Sequence, residues 1–398
     1  MGFRYNHSMK TFPFPDFFAS FSAGIIQEFE TIRDLLEREY SARIFVVGGA
    51  VRDRLLGRSV VDLDLEIYGL DPETFVEAMD RLGAKGVGKS FFVYKYGAID
   101  IALPRRERKT GKGHRGFVVE PEEDPREASR RRDFTVNALM YDLQNAEILD
   151  YWGGLEDVAA RRLRCVDPGS FVEDSLRVLR AMRFSAQLGF RVEETTCRLC
   201  RSIPLDDLPG SRIFGEFERM FRSEDWARGL FELLRLEIAK RLWGEPGGRE
   251  LLIGAAREMI RYRSQLETQF ADYVFLAIYG QYSAVSMSTI LDAIEAPGRY
   301  RRMLEKLPKI PSDLSPSFVG ALAGREGVRA SVLGYHPAIR NLAEHLAIWD
   351  RPLDFGVTPK LLMEKGFHGQ ALGAELERLK RLKLRELDRK IQSIRRKS

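Results

Sequence analysis

The sequence predicts an α+β protein in which a small mixed β-sheet occupies roughly the first 150 residues and the remainder is helical. Runs typical of strands recur up to about Leu155, and beyond it apolar residues at helical spacing continue to the C-terminus. At 398 residues, 44% of them hydrophobic and 30% charged, the chain is long enough for roughly two to four packed domains. It contains no run of about 18 apolar residues, so no membrane partner is predicted.

The elements of the predicted sheet follow one another between residues 19 and 102. Residues 19–40 show amphipathic helical spacing, and ARIFVVGG after them reads as a buried strand ending in a tight turn. A short helix over 50–58 comes next. VVDLDLEIYG then alternates apolar and acidic residues, which indicates a strand with its carboxylates on one face. A helix over 71–83 and a hairpin turning near Tyr96 complete this part.

One segment of this region matches a nucleotide-binding pattern that its surroundings contradict. GAKGVGKS, from Gly83 to Ser90, fits the phosphate-binding P-loop letter for letter. A P-loop needs a strand before it and a helix after it, whereas here a helix precedes the segment and strand-forming residues follow. We therefore expect a turn at these glycines rather than the site of an ATPase or GTPase.

Further along, residues 105–127 are polar and rich in Arg and Gly. They are too many for an ordinary connection, so we expect a mobile functional loop. FTVNALMYDLQNAEILDYWGG predicts a short helix followed by two strands. From Leu155 onward only helices are predicted, and residues 374–398 form the last of them, highly charged and basic at its end.

Cysteine usage and charge limit the environment and the partners. Cys165, Cys197 and Cys200 are too few for a disulfide framework, which favours a reducing cytoplasm. Cys197 and Cys200 form a CxxC without accompanying ligands, so two ordinary helix cysteines are predicted rather than a zinc site. The net charge of +5 is compatible with a polyanionic partner but does not establish one.

The strongest chemical signal is GGAVRDRLLGRSVVDLDLEIYG. Residues two apart on a strand point the same way, so Asp62 and Asp64 present both carboxylates to one spot, an arrangement that suits Mg²⁺ together with substrate phosphates. The glycines allow a triphosphate to approach the backbone, and Arg52 can pair with it. Asp100, on a later strand, would join the carboxylates if that strand is a neighbour. Taken alone, the two aspartates could simply be the wet face of an edge strand.

Three longer motifs occur in order: the segment just quoted, RRRDFTVNALMYD, and EDSLRVLRAMRFSAQLGF. Together they resemble the bacterial class II tRNA nucleotidyltransferases, the CCA-adding enzymes that share a superfamily with bacterial poly(A) polymerases. The resemblance covers about residues 44–222. It implies a nucleotidyltransferase head followed by helical neck, body and tail regions. The expected boundaries are an N-terminal extension over 1–27, a catalytic head over 28–154, a nucleotide-selecting neck over 155–222, and a tRNA-binding body and tail over 223–398.

The resemblance also implies roles for residues of the head. Asp62 and Asp64 would hold Mg²⁺, and Asp100 would be a third catalytic carboxylate. The residues implied to bind the nucleotide are Gly48, Gly49, Arg52, Arg132, Asp133 and Asn137. A capping role at the start of a helix is an equally good explanation for Asp133 and Asn137.

In the neck, FVEDSLRVLRAMRF is predicted to be one helix with a row of charged side chains. Asp174 and Arg177 are implied to read the base edge of CTP or ATP as a partner base would, and Arg180 and Arg183 to reach the phosphates. The alternative is an ordinary surface ion pair between Asp174 and Arg177.

The chain departs from the family pattern in two places. Ser170 precedes Phe171 where the family often has Arg, and an acidic residue is missing before Arg212. Histidines are scarce and no His-Asp phosphohydrolase pattern is present, so no attached phosphatase activity is predicted.

The predicted function is template-independent addition of CMP and AMP to the 3′ end of tRNA. The alternatives are an enzyme that adds only CC or only A, a poly(A) polymerase, and a non-catalytic RNA-binding protein on the same scaffold.

Overall fold

The structure is a computed structural model that describes residues 9–86, 93–109, 117–264, 271–324, 326–354 and 356–395. The chain divides into two compact units. The first comprises Met1–Glu216 and Arg235–Ile238, and the second comprises Phe217–Leu234 and Ala239–Ser398. The domain boundaries expected from the family resemblance remain predictions.

The first unit contains an eight-stranded mixed sheet with the strand order β1-β10-β9-β2-β3-β6-β5-β4. Its strands are β1 (Lys10–Pro13), β2 (Arg43–Val47), β3 (Leu63–Tyr68), β4 (Lys85–Gly86), β5 (Val93–Tyr96), β6 (Ile99–Ala102), β9 (Met140–Asp142) and β10 (Glu147–Asp150). A separate antiparallel pair consists of β7 (Arg105–Lys109) and β8 (Phe117–Pro121). The predicted fold class, a mixed-sheet head followed by a largely helical remainder, is confirmed.

The helices of the head surround this sheet. They are α1 (Ala23–Tyr40), α2 (Gly49–Leu55), α3 (Pro72–Leu82), α4 (Pro125–Arg130) and α5 (Gly154–Ala159). The α1 helix begins where the Ser22 side chain accepts a hydrogen bond from the Ile25 amide, and it buries Phe29, Ile32 and Leu36 in the main core. As predicted, α3 ends at Gly83, whose φ of +72° is a conformation that glycine adopts without strain.

The segment before α1 is packed on the head. Strand β1 pairs with β10 at the edge of the sheet. Phe17, just after β1, is fully buried and its ring stacks on that of Tyr141 with centroids 4.2 Å apart. The sequence showed no strand here, because Lys10–Pro13 is short and exposed on both faces.

The order of the central strands decides where the predicted aspartates lie. Strand β3 runs antiparallel to β2 on one side, where Val47 is opposite Asp64, and parallel to β6 on the other, where Asp64 is opposite Asp100. The predicted hairpin is formed by β5 and β6, which pair on either side of Gly97. The condition set for Asp100 is therefore met, since its strand is the direct neighbour of β3.

Two expectations from the sequence need correction. Residues 105–127 carry the β7–β8 strand pair and the start of α4, where a loop was expected, and residues 110–116 lie outside the described residues. The neck also contains a short parallel strand pair, β11 (Arg162–Leu163) with β12 (Arg191–Val192). Two-residue strands leave no periodicity in a sequence, so this pair could not be predicted.

The remaining helices of the chain fall into a neck group and a C-terminal group. The neck group is α6 (Pro168–Phe171), α7 (Leu176–Leu188), α8 (Glu194–Ser202) and α9 (Gly210–Phe221). The C-terminal group is α10 (Trp226–Arg235), α11 (Ile238–Trp243), α12 (Ala256–Arg263), α13 (Ala271–Tyr282), α14 (Met287–Ala293), α15 (Gly298–Leu304), α16 (Pro316–Leu322), α17 (Pro337–His345), α18 (Pro359–Glu364) and α19 (Gly369–Arg395).

The second unit is held together by close helix packing. A Cβ atom on Gly320 of α16 would lie 2.8 Å from a methyl carbon of Leu384 on α19, so glycine is what allows these two helices to approach. Val319 beside it is fully buried in the apolar cluster of this unit, together with Ile339.

None of the helices in the described parts of the chain combines the length and apolar composition of a membrane span. Cys165, Cys197 and Cys200 are buried, and none of them is in a disulfide. As predicted, the two cysteines of the CxxC segment lie in a helix, α8.

Candidate nucleotide-binding and catalytic site

The loop after β2 brings three predicted site residues together. Gly48 has a φ of +74°, which lets the chain turn sharply from the strand into α2. A Cβ atom at this position would lie 3.2 Å from Arg132 Nη1 and 3.3 Å from Asp64 Oδ2. The backbone of the loop, the Arg132 guanidinium and the Asp64 carboxylate therefore lie around one point.

Asp64 lies in a field of mixed charges. Its side chain remains accessible to water, but the surrounding protein reduces its hydration, and this raises its pKa above the ordinary value. Arg132 acts in the opposite direction, while the negative charges of Asp100, Asp62 and Glu66 raise the pKa further. Several carboxylates thus repel one another here, and a bound cation would relieve that repulsion.

The donor set can be tested against a divalent cation. Asp62, directly before β3, and Asp64, in that strand, are both exposed, and the negative charge of Asp62 helps to raise the pKa of Asp64. Among the described residues, no three Asp, Glu, His or Cys side chains are grouped closely enough to enclose a metal by themselves. Two neighbouring carboxylates are donors of the kind that hold a divalent cation together with substrate phosphates and water.

Asp100 is engaged by a lysine that the sequence did not single out. Lys95, opposite it on β5, donates from Nζ to Asp100 Oδ1 over 3.1 Å. This hydrogen bond and the nearby negative charges raise the pKa of Lys95. The contact engages one oxygen of the Asp100 carboxylate and leaves the other, Oδ2, outside this hydrogen bond.

Glu66 follows Asp64 at the same two-residue interval and lies at the buried end of the acidic row. It is 3% exposed and accepts hydrogen bonds from Arg132 Nη2 at 2.8 Å, Arg131 Nη2 at 3.4 Å and the Tyr68 hydroxyl at 3.1 Å. Burial alone would raise the pKa of Glu66, but the two arginines outweigh it and the pKa is lowered. Arg132 is therefore anchored from below by an ionised carboxylate. Its buried Nε has no hydrogen-bond partner among the described residues.

A chain of hydrogen bonds runs from the head into the neck. Arg52, 3% exposed, forms a two-point contact with Asp53 at 2.8 and 2.9 Å, and its Nη1 donates to Asn137 Oδ1. Asn137 donates to Asp133 Oδ1 over 2.9 Å, and Asp133 Oδ2 accepts from Arg180 Nε over 2.7 Å. These bonds use three of the five N–H donors of Arg52 and fix the orientation of its guanidinium.

Asp133 is the buried residue at the centre of these hydrogen bonds. Burial by itself would raise its pKa, but Arg180, the Asn137 hydrogen bond and Arg177 together lower it to about 2. Asp133 also accepts from the Phe134 amide over 2.8 Å. The short helix that follows, Thr135–Asn137, has Phe134 at its N-cap position and no side-chain cap, so Asp133 does not cap it.

The neck segment differs in one respect from the prediction of a single helix. The α7 helix begins at Leu176, so Asp174 lies in the turn before it, where its Oδ1 accepts from the Leu176 amide over 3.1 Å. Arg177 donates to the Ser170 and Arg131 carbonyls at 2.6 and 2.5 Å. No direct ion pair between Asp174 and Arg177 is found in the described residues. The turn is braced further by Ser175, whose hydroxyl donates to Asp207 over 2.5 Å.

Arg183 is buried rather than directed at solvent. It donates to Glu216 over 2.7 Å and to Gln187 over 2.9 Å. Burial is the main reason why the pKa of Arg183 falls to about 10, with the positive charge of Arg180 adding to it and Glu216 opposing it. The roles predicted for Asp174, Arg177, Arg180 and Arg183 in nucleotide selection remain predictions.

Several residues of the site carried too weak a sequence signal to be singled out. Glu66 continues the period-two row of Asp62 and Asp64 and could have been found from it. Lys95, Asp207 and Glu216 have no such signal, because only the fold brings them to their partners.

Comparison with known proteins identifies the family that the head resembles. Residues 44–164 match the family model of the poly A polymerase head domain. This region of the chain is therefore similar in sequence to poly A polymerase head domains.

More specific similarities support the resemblance derived from the motifs. A multifunctional CCA protein of Xanthomonas campestris pv. campestris is 43% identical over 192 residues, which are 46% of this chain and 46% of that protein. The chain thus matches about half the length of the curated relatives.

Solved structures extend the similarity to the fold. A Thermotoga maritima CCA-adding enzyme in complex with tRNA aligns with a TM-score of 0.61 at 20% identity over 95% of each chain. A Bacillus stearothermophilus CCA-adding enzyme in complex with CTP aligns with a TM-score of 0.60 at 24% identity, over 91% of this chain and 93% of that one. The fold is that of the CCA-adding enzymes, and the resemblance predicted from the sequence is confirmed.

Proposed function

We propose that this protein adds CMP and AMP to the 3′ end of tRNA, using CTP and ATP without a nucleic acid template. The observation that carries the proposal is the meeting of the Gly48 loop, Arg132 and the Asp64 carboxylate at one point, with Asp100 on the adjacent strand. An RNA-binding protein without catalytic activity has no use for repelling carboxylates beside an open glycine loop. The relatives named as CCA proteins support the same reading.

The proposed reaction is an in-line displacement at phosphorus. The terminal 3′ hydroxyl of the RNA attacks the α-phosphate of the bound nucleotide, a P–O bond forms on one side, and pyrophosphate leaves from the other. Gly48 and Gly49 would let the phosphates approach the backbone, and Arg132, held in place by Glu66, would offer them its Nη1, which faces Gly48. Asp100 would accept the proton of the attacking hydroxyl on Oδ2, the oxygen outside its hydrogen bond with Lys95.

The residues that would hold a divalent cation are Asp62 and Asp64, and we propose Mg²⁺ as that cation. When bound, the cation would neutralise phosphate charge and lower the pKa of the attacking hydroxyl. The protein's own contribution is to keep both carboxylates exposed at the start of β3, with Asp62 directly before the strand and Asp64 in it, next to the phosphate loop.

Base selection is proposed to occur in the neck. Asp174 and Arg177 flank the start of α7. Asp174 accepts from the Leu176 amide at the first residue of that helix, and Arg177 donates to the Arg131 carbonyl in the head. A carboxylate and a guanidinium can satisfy the hydrogen-bonding edge of cytosine or adenine. Residues 223–398 would hold the tRNA by its phosphates and shape, so binding should weaken with salt. The buried, reduced cysteines agree with a cytoplasmic location.

One assay separates the candidate functions. Purified protein and MgCl₂ are incubated with tRNAs that end at the discriminator base, at C, at CC and at CCA, with each nucleoside triphosphate supplied singly. Synthesis of CCA that then stops supports the proposal. Addition limited to CC or to the final A would indicate a specialised enzyme, and long A tails would indicate a poly(A) polymerase.

A pair of variants tests the catalytic carboxylates. Asp64→Ala should lower transfer by at least about a thousandfold while tRNA binding is retained, since the carboxylate acts in the reaction and not in RNA recognition. Asp80→Ala removes an exposed aspartate from the same head domain and should transfer normally. Transfer by Asp64→Ala at the wild-type rate would refute the assignment.

A further inference from the structure

One aromatic ring lies at the centre of three arginines of the candidate site. The Phe184 ring centroid is 3.7 Å from the guanidinium carbon of Arg183, 5.1 Å from that of Arg180 and 5.3 Å from that of Arg52. All three distances are within the range of cation–π contact. We call these four residues the arginine–phenylalanine cluster. Arg52 comes from the head, and the other three come from the neck helix α7.

Each arginine of the cluster has a carboxylate of its own. Arg52 pairs with Asp53 at 2.8 Å, Arg180 with Asp133 at 2.6 Å, and Arg183 with Glu216 at 2.7 Å. The carboxylates offset the repulsion between three cations around one ring. Because each guanidinium plane is fixed by its own partner, the ring is held between groups that cannot easily turn away.

The cluster belongs to a face of α7 that is directed at the head. Arg177, Arg180 and Phe184 are spaced at i, i+3 and i+7, which places them on one side of a helix. Arg177 donates to the Arg131 carbonyl and Arg180 to Asp133, both in the head. Phe184 completes the row by contacting Arg52 and, edge to face at 5.9 Å, Phe134.

This row bears on nucleotide choice for a geometric reason. A nucleoside triphosphate is one molecule, whose phosphates would lie at the Gly48 loop and whose base would lie at the turn before α7. The side chains at the turn can distinguish one base edge from another only if the turn keeps a fixed distance from the Gly48 loop. A shift of about 1 Å is enough to lose much of the effect of an aligned contact. Arg52 lies in α2, which begins directly at that loop.

We propose, on the basis of the function proposed above, that Phe184 is a positioning residue that sets the neck helix against the phosphate loop and thereby sustains discrimination between nucleotides. It does not touch the nucleotide itself. It is 6% exposed and acts through Arg52 and Arg180.

The test compares Phe184→Leu with Phe184→Tyr and with Phe190→Leu. Leucine keeps an apolar side chain in the core but has no aromatic face, and tyrosine keeps the face. Phe190, 1% exposed in the same neck region, is a matched control for the loss of a buried ring and is not part of the cluster. For each protein, transfer of CMP, AMP, UMP and GMP to matched tRNA ends is measured, with melting temperature and the Kd for CTP and ATP in the absence of tRNA.

We expect Phe184→Leu to lose about tenfold in discrimination against UTP and GTP and to bind both CTP and ATP several-fold more weakly. Phe184→Tyr should stay within about twofold of the wild type, and Phe190→Leu should lower the melting temperature without changing discrimination. If Phe184→Leu and Phe190→Leu behave alike, or if discrimination is unchanged in Phe184→Leu, Phe184 merely fills the core. Should Phe184→Tyr not fold, the comparison of Phe184→Leu with Phe190→Leu still decides whether Phe184 positions the neck helix or only fills the core. Absence of transfer by the wild type would instead overturn the proposed function, and the Kd values would still test the cluster.

Discussion

Replacing Asp133 by asparagine should destabilise the first unit in a manner that depends on pH. Asp133 is 6% exposed, and its pKa of about 2 in the folded protein compares with 3.8 for an unhindered aspartate. Each pKa unit corresponds to about 1.4 kcal/mol, so the ionised carboxylate contributes about 2 kcal/mol at pH 7. Since the folded pKa is depressed, this contribution is complete above the unfolded pKa and is lost as the pH falls through the folded one.

The measurement is the free energy of unfolding of the wild type and of Asp133→Asn, from urea titrations followed by circular dichroism at several pH values. The difference between the two proteins should be constant from pH 7 to pH 5 and should shrink by about 1 kcal/mol by pH 3. At pH 7 the variant should be less stable by about 2 kcal/mol, because asparagine lacks the charge that pairs with Arg180. Asp206→Asn, which removes an exposed aspartate, controls for the change in net charge. A difference that already shrinks between pH 7 and pH 5 would refute the reasoning.

Two further predictions concern the phosphate loop and the turn before α7. Gly48→Ala should lower kcat/KM for nucleotide transfer by at least about tenfold, because the added methyl group would press on the site. Gly57→Ala, also at positive φ but with nothing within 4 Å, should cost a similar amount of stability, about 1 kcal/mol, and leave transfer unchanged. Ser175→Ala and Asp207→Ala should each alter the ratio of CMP to AMP addition at least about threefold by loosening the turn, whereas Asp206→Ala should not. Equal transfer rates in Gly48→Ala and Gly57→Ala would contradict the first expectation. An equal CMP to AMP ratio in Asp207→Ala and Asp206→Ala would contradict the second.

The parts of the head that could be predicted are those in which local pattern and tertiary position agree. The alternation in VVDLDLEIYG predicts a strand because one face must be buried, and the structure has β3 at Leu63–Tyr68. The position of Asp100 beside Asp64 could be stated only as a condition. Register between strands that are distant in sequence depends on the whole sheet, and a single sequence does not contain it.

The neck shows why site details were harder to predict. Helical spacing from Asp174 onward is the same whether the helix begins at Asp174 or at Leu176, and the difference decides whether Asp174 lies on a helix face or in a turn. The Ser175–Asp207 hydrogen bond favours the turn, and no local pattern announces it. For the same reason the sequence predicts a phosphate contact for Arg52 but not its burial between Asp53 and Asn137.

The candidate site is best understood as two layers with different tasks. The exposed layer has the groups that can contact a substrate, which are the carboxylates of Asp62 and Asp64 and the Nη1 nitrogen of Arg132 beside Gly48. Arg132 is attracted both to Asp64 and to Glu66 below it, and if it moved onto Asp64 it would neutralise a carboxylate that the reaction needs free. The buried, ionised Glu66 accepts the hydrogen bond from Arg132 Nη2 and holds Arg132 in place. The Arg132 guanidinium and the Asp64 carboxylate can therefore lie side by side without forming an ion pair. A buried charge is costly unless it is paired, and here the pairing in the lower layer is what keeps the upper one open.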